Sequence, residues 1–315
     1  MMRWTDRVYG ESTIDDPDAL ALIRCPTFQR LKGIRQAGPS AFAFPFKTVT
    51  RFEHSLGVYL LLTRLGADRR ERIAGLLHDL SHTAFSHAVD FLFHSDEQDY
   101  HERLKPVFLK KADIASTLEK IGYAPEEFFD DSIYPLLERP LPLLCADRLD
   151  YFLRDSLACG VSTPESAARC MASVVAVDDL IAFTTVEAAE DAVERFAEMN
   201  RTSWAGATEG YIYNEFADAM REALRIGALK EPDLLRDDAH VLSRLKSSGS
   251  ARVAEAMANI TEIRPDRIAT FEPKVRPKTR WIDPPVVVDG HAVRLSQIGG
   301  EGLDSRPPRV HNPAS

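Results

Sequence analysis

The sequence predicts a mainly α-helical fold that carries one short β-hairpin and a small β-rich C-terminal lobe. Three observations predict it. Apolar residues recur three and four apart through ERIAGLLHDL, HAVDFLF and LPLLCADRLDYFLRDSL, as they do on amphipathic helices. The run ASVVAVDDLIAFTTV reads as two short strands around a turn at Asp178-Asp179. From Ile263 onward, prolines and β-branched residues dominate.

In chain order, the pattern is mostly helical from Asp16 to about Met171. PESAARCM, after Thr163, starts a helix with Pro164 at a favoured first-turn position. The hairpin follows. VEAAEDAVERFAEMNRTSW and EGYIYNEFADAMREALRIGAL then return to helical period. RIATFEP and PPVVVDGHAVRL read as short strands, and EGLDSRPPRVHNPAS as a loose tail. The expected division is a helical domain over 1–262 and a β-rich lobe with its tail over 263–315. No internal repeat or low-complexity segment interrupts it.

With 315 residues, 44% of them hydrophobic, the chain can bury a large core. A net charge of -9 and a pI near 5.5 argue against a nucleic-acid partner, since such proteins usually show a basic field. MMRWTDRVYGESTIDD lacks the apolar core of a secretory signal, and no apolar run is long enough to span a bilayer. Cys25, Cys145, Cys159 and Cys170 show no CxxC spacing and read as free buried thiols. These features lead to the expectation of a cytoplasmic protein without a membrane partner.

Three segments carry the chemistry. His54 lies in RFEHSLGV, His78 and Asp79 in AGLLHDLSHTAFSH, and Asp147 in CADRLDYFLRD. Two imidazoles and two carboxylates form a mixed nitrogen/oxygen set that suits one divalent metal ion such as Mn, Fe, Mg or Zn. Neighbouring residues point about 100° apart on an ideal helix, so His78 and Asp79 can share an ion only at a helix end. Ser81 and Thr83 are plausible terminators there. Such an ion lowers the pKa of water, which then serves as a nucleophile. Asp90 follows His87 by three and shares its helical face. A carboxylate so placed is expected to raise the imidazole pKa, and the protonated ring could serve a leaving phosphate oxygen. Arg51 precedes His54 by three, where a guanidinium can clamp a phosphate. Tyr151 and Asp155 continue the helical stripe of Asp147.

These motifs resemble the HD superfamily of metal-dependent phosphohydrolases, and within it the deoxynucleoside-triphosphate triphosphohydrolase branch. The similar segments are CPTFQRLKGIRQAG, FPFKTVTRFEHSLGV, LLHDLSHTAFSHAVD, YHE and ADRLDYFLRD, within roughly Val8 to Val161. The resemblance implies an HD-domain helical core and an ion held by His54, His78, Asp79 and Asp147. It implies that His87, Asp90 and His101 act at the scissile phosphate, with His82 close to the phosphates. Arg148 stands where the family usually has a phosphate-binding lysine. Tyr151, Asp155 and Gln36 match residues that contact the sugar. Members often assemble through the helical core, so the resemblance allows a homo-oligomer, although no self-complementary patch is readable.

The chain also departs from that pattern. Ala37 replaces a leucine that crowds the 2′ position of the sugar. Ser81-His82-Thr83-Ala84 replaces a glycine-rich turn. Arg24 replaces the guanine-reading aspartate of the allosteric site, so no activator site of that kind is expected. Trp204, Tyr211 and Tyr213 are base-side candidates by composition, with core packing as the competing role; His94 reads as structural. The favoured expectation is hydrolysis of (deoxy)nucleoside triphosphates to nucleoside and triphosphate. Its rivals are a nucleoside monophosphate phosphatase or phosphodiesterase and a catalytically weak nucleotide-binding scaffold.

Overall fold

The computed structural model describes residues 1–94 and 99–298. The expected loose tail lies outside these residues. The chain opens with a hairpin absent from the sequence expectation, β1 (Met2–Asp6) and β2 (Gly10–Ile14). Asp6 closes its turn by accepting the amides of Val8 and Tyr9 at 2.8 and 3.1 Å.

Helices α1 (Pro17–Ile23), α2 (Pro26–Gln29) and α3 (Ser40–Ala43) lead into α4 (Arg51–Arg64) and α5 (Arg69–Leu77). Asp16 caps α1, Thr50 and Glu53 form a capping box on α4, and Asp68 caps α5, so each start is written in the local sequence. Next come α6 (Ala88–Leu92), α7 (Tyr100–Leu109), α8 (Ala112–Lys120), α9 (Ala146–Ala158) and α10 (Pro164–Ala172). Thr163 and Ser166 cap α10 reciprocally, with Pro164 in its first turn as expected.

The expected hairpin is β3 (Val174–Val177) and β4 (Leu180–Phe183). Asp178 and Asp179 both have positive φ, 52° and 56°, as its two-residue turn requires. After α11 (Val186–Met199), a π-helical turn over Asn200–Trp204 leads to α12 (Ala207–Arg225), α13 (Asp238–Lys246), α14 (Ala251–Thr261) and α15 (Pro265–Ala269). The last hairpin is β5 (Pro285–Val288) and β6 (His291–Arg294), turning at Asp289-Gly290.

One sequence expectation is corrected here. RIATFEP forms no strand: Arg267, Ile268 and Ala269 belong to α15, and the rest is turn or irregular. Pro265 at the helix start and Asp266 beside it in the first turn are helix-opening signals that outweigh the β-branched count. The PPVVVDGHAVRL strands form as expected. They do not stand apart: β4 pairs in parallel with β5 through Phe183 and Val286, giving one sheet in the order β3-β4-β5-β6.

Two apolar clusters hold the helices. One centres on α4, α5 and α9, with Leu56, Leu62, Leu76 and Phe152. The other joins α6, α12 and α14 through Phe91, Phe216, Met220 and Ile260. A cavity of about 390 Å³ is lined by Tyr151 and Trp204, packed on the first cluster, and by Phe91 and Tyr213 of the second.

Candidate active site

Three segments converge at one end of this cavity. The second residue triplet of α4 supplies His54. Helix α5 stops at Leu77, so His78 is its C-cap and Asp79 follows in the turn, as the spacing argument required. The first turn of α9 supplies Asp147. His54 Nε2 lies 3.2 Å from His78 Nε2 and 2.8 Å from Asp147 Oδ1. His78 Nε2 lies 3.5 Å from both Asp79 Oδ1 and Asp147 Oδ1.

The outward nitrogens assign the tautomers. His54 Nδ1 donates to Asp150 Oδ1 at 2.8 Å, and His78 Nδ1 donates to the Gly75 carbonyl at 2.7 Å. Both Nε2 atoms therefore face each other across 3.2 Å, ringed by carboxylates that outweigh burial and raise the His54 pKa to about 10. That arrangement favours a cation between them. A divalent ion fits it, and His54, His78 and Asp79 form a cluster able to hold one.

Asp150 was missed in the sequence, and it anchors this centre. Arg154 Nε donates to Asp150 Oδ1 at 2.6 Å, Arg154 Nη2 donates to Asp6 Oδ2 at 2.8 Å, and the Tyr9 hydroxyl donates to Asp150 Oδ2 at 2.7 Å. Burial opposes ionisation of Asp150, but Arg154 and His54 hold its carboxyl below the usual range. The N-terminal hairpin thus fixes the orientation of a candidate metal ligand. The readable signal was the i,i+4 Asp150–Arg154 pair on α9.

Gly57 makes room for this network, because a Cβ built there overlaps Arg154 Nη2 and Asp150 Oδ2. Gly57→Ala is expected to destabilise the fold by about 2–3 kcal/mol through overpacking and to weaken metal binding. Thermal melts with a metal titration check this, and unchanged values in both would show that the network is not rigid.

A group of three imidazoles adjoins the centre. His82 Nε2 lies 3.1 Å from Asp79 Oδ1, and its ring stacks on His101 at 4.0 Å. His87 stands edge-on to both, at 5.0 and 5.2 Å. His101 is accordingly part of the cluster and not a solvated surface residue. Asp90 accepts from His87 Nδ1 at 3.2 Å and from the Tyr100 amide at 3.0 Å.

Burial, with Arg51 nearby, pushes His82 down to about 3. Burial also lowers His87, outweighing Asp90, and together with the neighbouring imidazoles it lowers His101. The expected rise at His87 is therefore not found, because desolvation of the cation wins. His87 is neutral, with Nδ1–H on Asp90 and the Nε2 lone pair free to accept. Its loop is held by Asp238, which accepts the amides of Phe85 and Arg35 at 2.6 and 2.8 Å.

The expected phosphate ligands line the cavity but are engaged within the protein. Arg51 donates to Asp79 Oδ2 at 2.7 Å and to Ser86 Oγ at 3.0 Å. Arg148 donates to the carbonyls of Arg139 and Leu143 at 3.0 and 2.5 Å and to Glu138 at 3.4 Å.

Farther along α9, Asp155 accepts from Trp204 Nε1 at 2.8 Å and Gln36 Nε2 at 3.4 Å. Among the described residues, Gln36 Oε1 is buried without a hydrogen-bond partner. Tyr151 meets Trp204 edge-on at 5.1 Å. Of the aromatic candidates, Trp204 and Tyr213 line the cavity, whereas Tyr211 packs on Phe271. Lys47, buried and paired with Glu209 at 3.0 Å, and Arg280 also line it and were not singled out in the sequence.

The HD domain family model matches residues 51–155, which contain all four expected metal ligands. The uncharacterized protein YdhJ of Bacillus subtilis is 36% identical over 304 residues, covering 94% of this chain and 92% of that protein. The metal-dependent phosphohydrolase cns2 of Cordyceps militaris is 30% identical over 292 residues, covering 87% and 84%. The deoxynucleoside triphosphate triphosphohydrolase SAMHD1 homolog of Dictyostelium discoideum is 28% identical over 350 residues, covering 95% of this chain and 65% of that protein. The chain belongs to the HD-domain family of metal-dependent phosphohydrolases. Among the described residues, no helix is long and apolar enough to cross a membrane.

Proposed function

We propose that the chain hydrolyses (deoxy)nucleoside triphosphates to nucleoside and triphosphate. One observation carries this reading: a single cavity runs from Asp79 and Asp147 to Asp155 and Trp204. Asp155 lies eight residues beyond Asp147 on α9, about 12 Å along the axis, which suits a scissile phosphate at one end and a sugar at the other. Similarity to the Dictyostelium triphosphohydrolase supports it.

In this reading His54, His78, Asp79 and Asp147 hold the ion. When bound, the ion would polarise the α-phosphate and acidify an attacking water. His87 Nε2 accepts a proton, Asp90 stabilises the resulting imidazolium through Nδ1–H, and the same ring returns a proton to the leaving 5′-oxygen. His82 and His101, neutral and stacked, add donors near the phosphates without excess charge. Asp155 and Gln36 bind the sugar, with Tyr151 against its ring. Ala37 leaves space beside Gln36, so ribonucleotides are accepted as well.

The engagement of Arg51 and Arg148 within the protein favours a second reading, hydrolysis of a nucleoside monophosphate or a phosphodiester, because neither guanidinium is visibly reserved for further phosphates. Chromatography of products from each dNTP, NTP and NMP separates the two. Triphosphate with nucleoside supports the first, and orthophosphate from monophosphates alone supports the second.

A further inference from the structure

Among the described residues, one cavity guanidinium forms no ion pair with a carboxylate. Arg280 lies on an irregular segment between α15 and β5, and that segment is tied down at three points. Asn214 of α12 donates to the Val275 carbonyl at 2.9 Å and accepts the amides of Lys274 and Val275 at 3.1 and 3.2 Å. Buried Asn200, which caps α11, accepts the Arg280 amide at 2.8 Å. The Asp283 amide donates to the Pro142 carbonyl at 2.9 Å. Between the first two ties, Pro277 rests near Gly210, and Pro277, Lys278 and Arg280 border the cavity. The segment is therefore a fixed strap.

The Arg280 side chain is half-buried and donates through Nη1 to the Lys278 carbonyl at 3.3 Å. Among the described residues, no carboxylate pairs with it. Its charge acts on His87, Tyr151 and Tyr213, which come from three different elements around the cavity. Arg51 and Arg148 are committed elsewhere. An unpaired, partly desolvated guanidinium here favours an anion, and its planar fork matches phosphate oxygens bidentately.

We propose that Arg280 is a substrate-binding residue that grips the phosphates beyond the scissile one. This rests on the triphosphate reading above. It also answers the observation that favours the monophosphate reading, since the reserved guanidinium arrives from the C-terminal segment.

The test compares wild-type, Arg280→Gln and Arg280→Lys proteins, metal-saturated, by calorimetric titration with inorganic triphosphate and with orthophosphate. KM and kcat for dNTPs are measured alongside. Arg280→Gln is expected to weaken inorganic triphosphate binding by at least about tenfold and to change orthophosphate binding less than twofold. KM for dNTPs should rise by about tenfold or more with kcat within about threefold, and Arg280→Lys should recover part of both losses. Unchanged triphosphate affinity, or equal losses for the two anions, overturns the assignment. Turnover by the wild-type protein reports separately on the triphosphate reading, because the anion titrations need no catalysis. Unchanged melting temperatures confirm that the variants fold.

Discussion

Replacing His78 and Asp79 together by alanine is expected to lower kcat/KM by at least about 10³-fold, which is about 4 kcal/mol of transition-state stabilisation, and to abolish tight divalent-metal binding. The two residues leave one α5 terminus, so a single local change removes half of the expected ligand set while His54 and Asp147 stay in place. Stability follows the same logic. In the native protein the His54 and His78 Nε2 atoms lie 3.2 Å apart, and an ion that binds there only in the folded state stabilises it. Chelator should therefore lower the melting temperature of the wild-type protein and leave that of the variant unmoved. Metal analysis and paired melts with and without chelator check both statements. A variant that keeps its ion or its activity would show that the centre lies elsewhere.

His87→Ala is expected to lower kcat by about 10²- to 10⁴-fold while leaving metal content unchanged, the loss typical of a missing proton-transfer group. The effect has a pH signature. Burial lowers the His87 pKa from its ordinary value of 6.5, so the neutral, accepting form prevails at neutral pH in the free enzyme. As pH falls through that lowered value, His87 takes up its proton from solvent and kcat/KM declines. The acidic limb should thus lie below 6.5 and disappear in the variant. Asp90→Asn should keep the geometry but lose support for the imidazolium. A His87→Ala enzyme with full activity and an unchanged pH profile would remove His87 from the chemistry.

How much of this was legible in the sequence follows from the physical range of each interaction. The candidate metal ligands were legible because residue type and local context carry them: a His-Asp pair at a helix end, and a histidine and an aspartate near helix starts. The helix starts were likewise local, since Thr163, Ser166 and Pro164 settle α10 within a few residues. The hairpin turn at Asp178-Asp179 was readable for the same reason.

What was missed depends on contacts across the chain. Tyr9 meets Asp150 across 141 residues, so nothing near either one announces that the N-terminal hairpin supports His54. Arg280 looks like an ordinary surface arginine until Asn200 and Asn214 draw its segment over the cavity. Burial misled the reading of His87: proximity to Asp90 argued for a raised pKa, while the desolvation that reverses it is a property of the folded surroundings. RIATFEP failed for a local reason, because Pro265 and Asp266 signal a helix start more strongly than β-branched residues signal a strand.

The most direct test of the central claim is hydrolysis in ¹⁸O-labelled water, with the metal-loaded protein offered dNTPs, NTPs and NMPs and the His78→Ala/Asp79→Ala protein as control. Water attack at the α-phosphorus, with the 5′-oxygen as leaving group, predicts one labelled oxygen in released triphosphate, unlabelled nucleoside, and no reaction in the control. Labelled orthophosphate from monophosphates alone, or label in the nucleoside, would contradict that account.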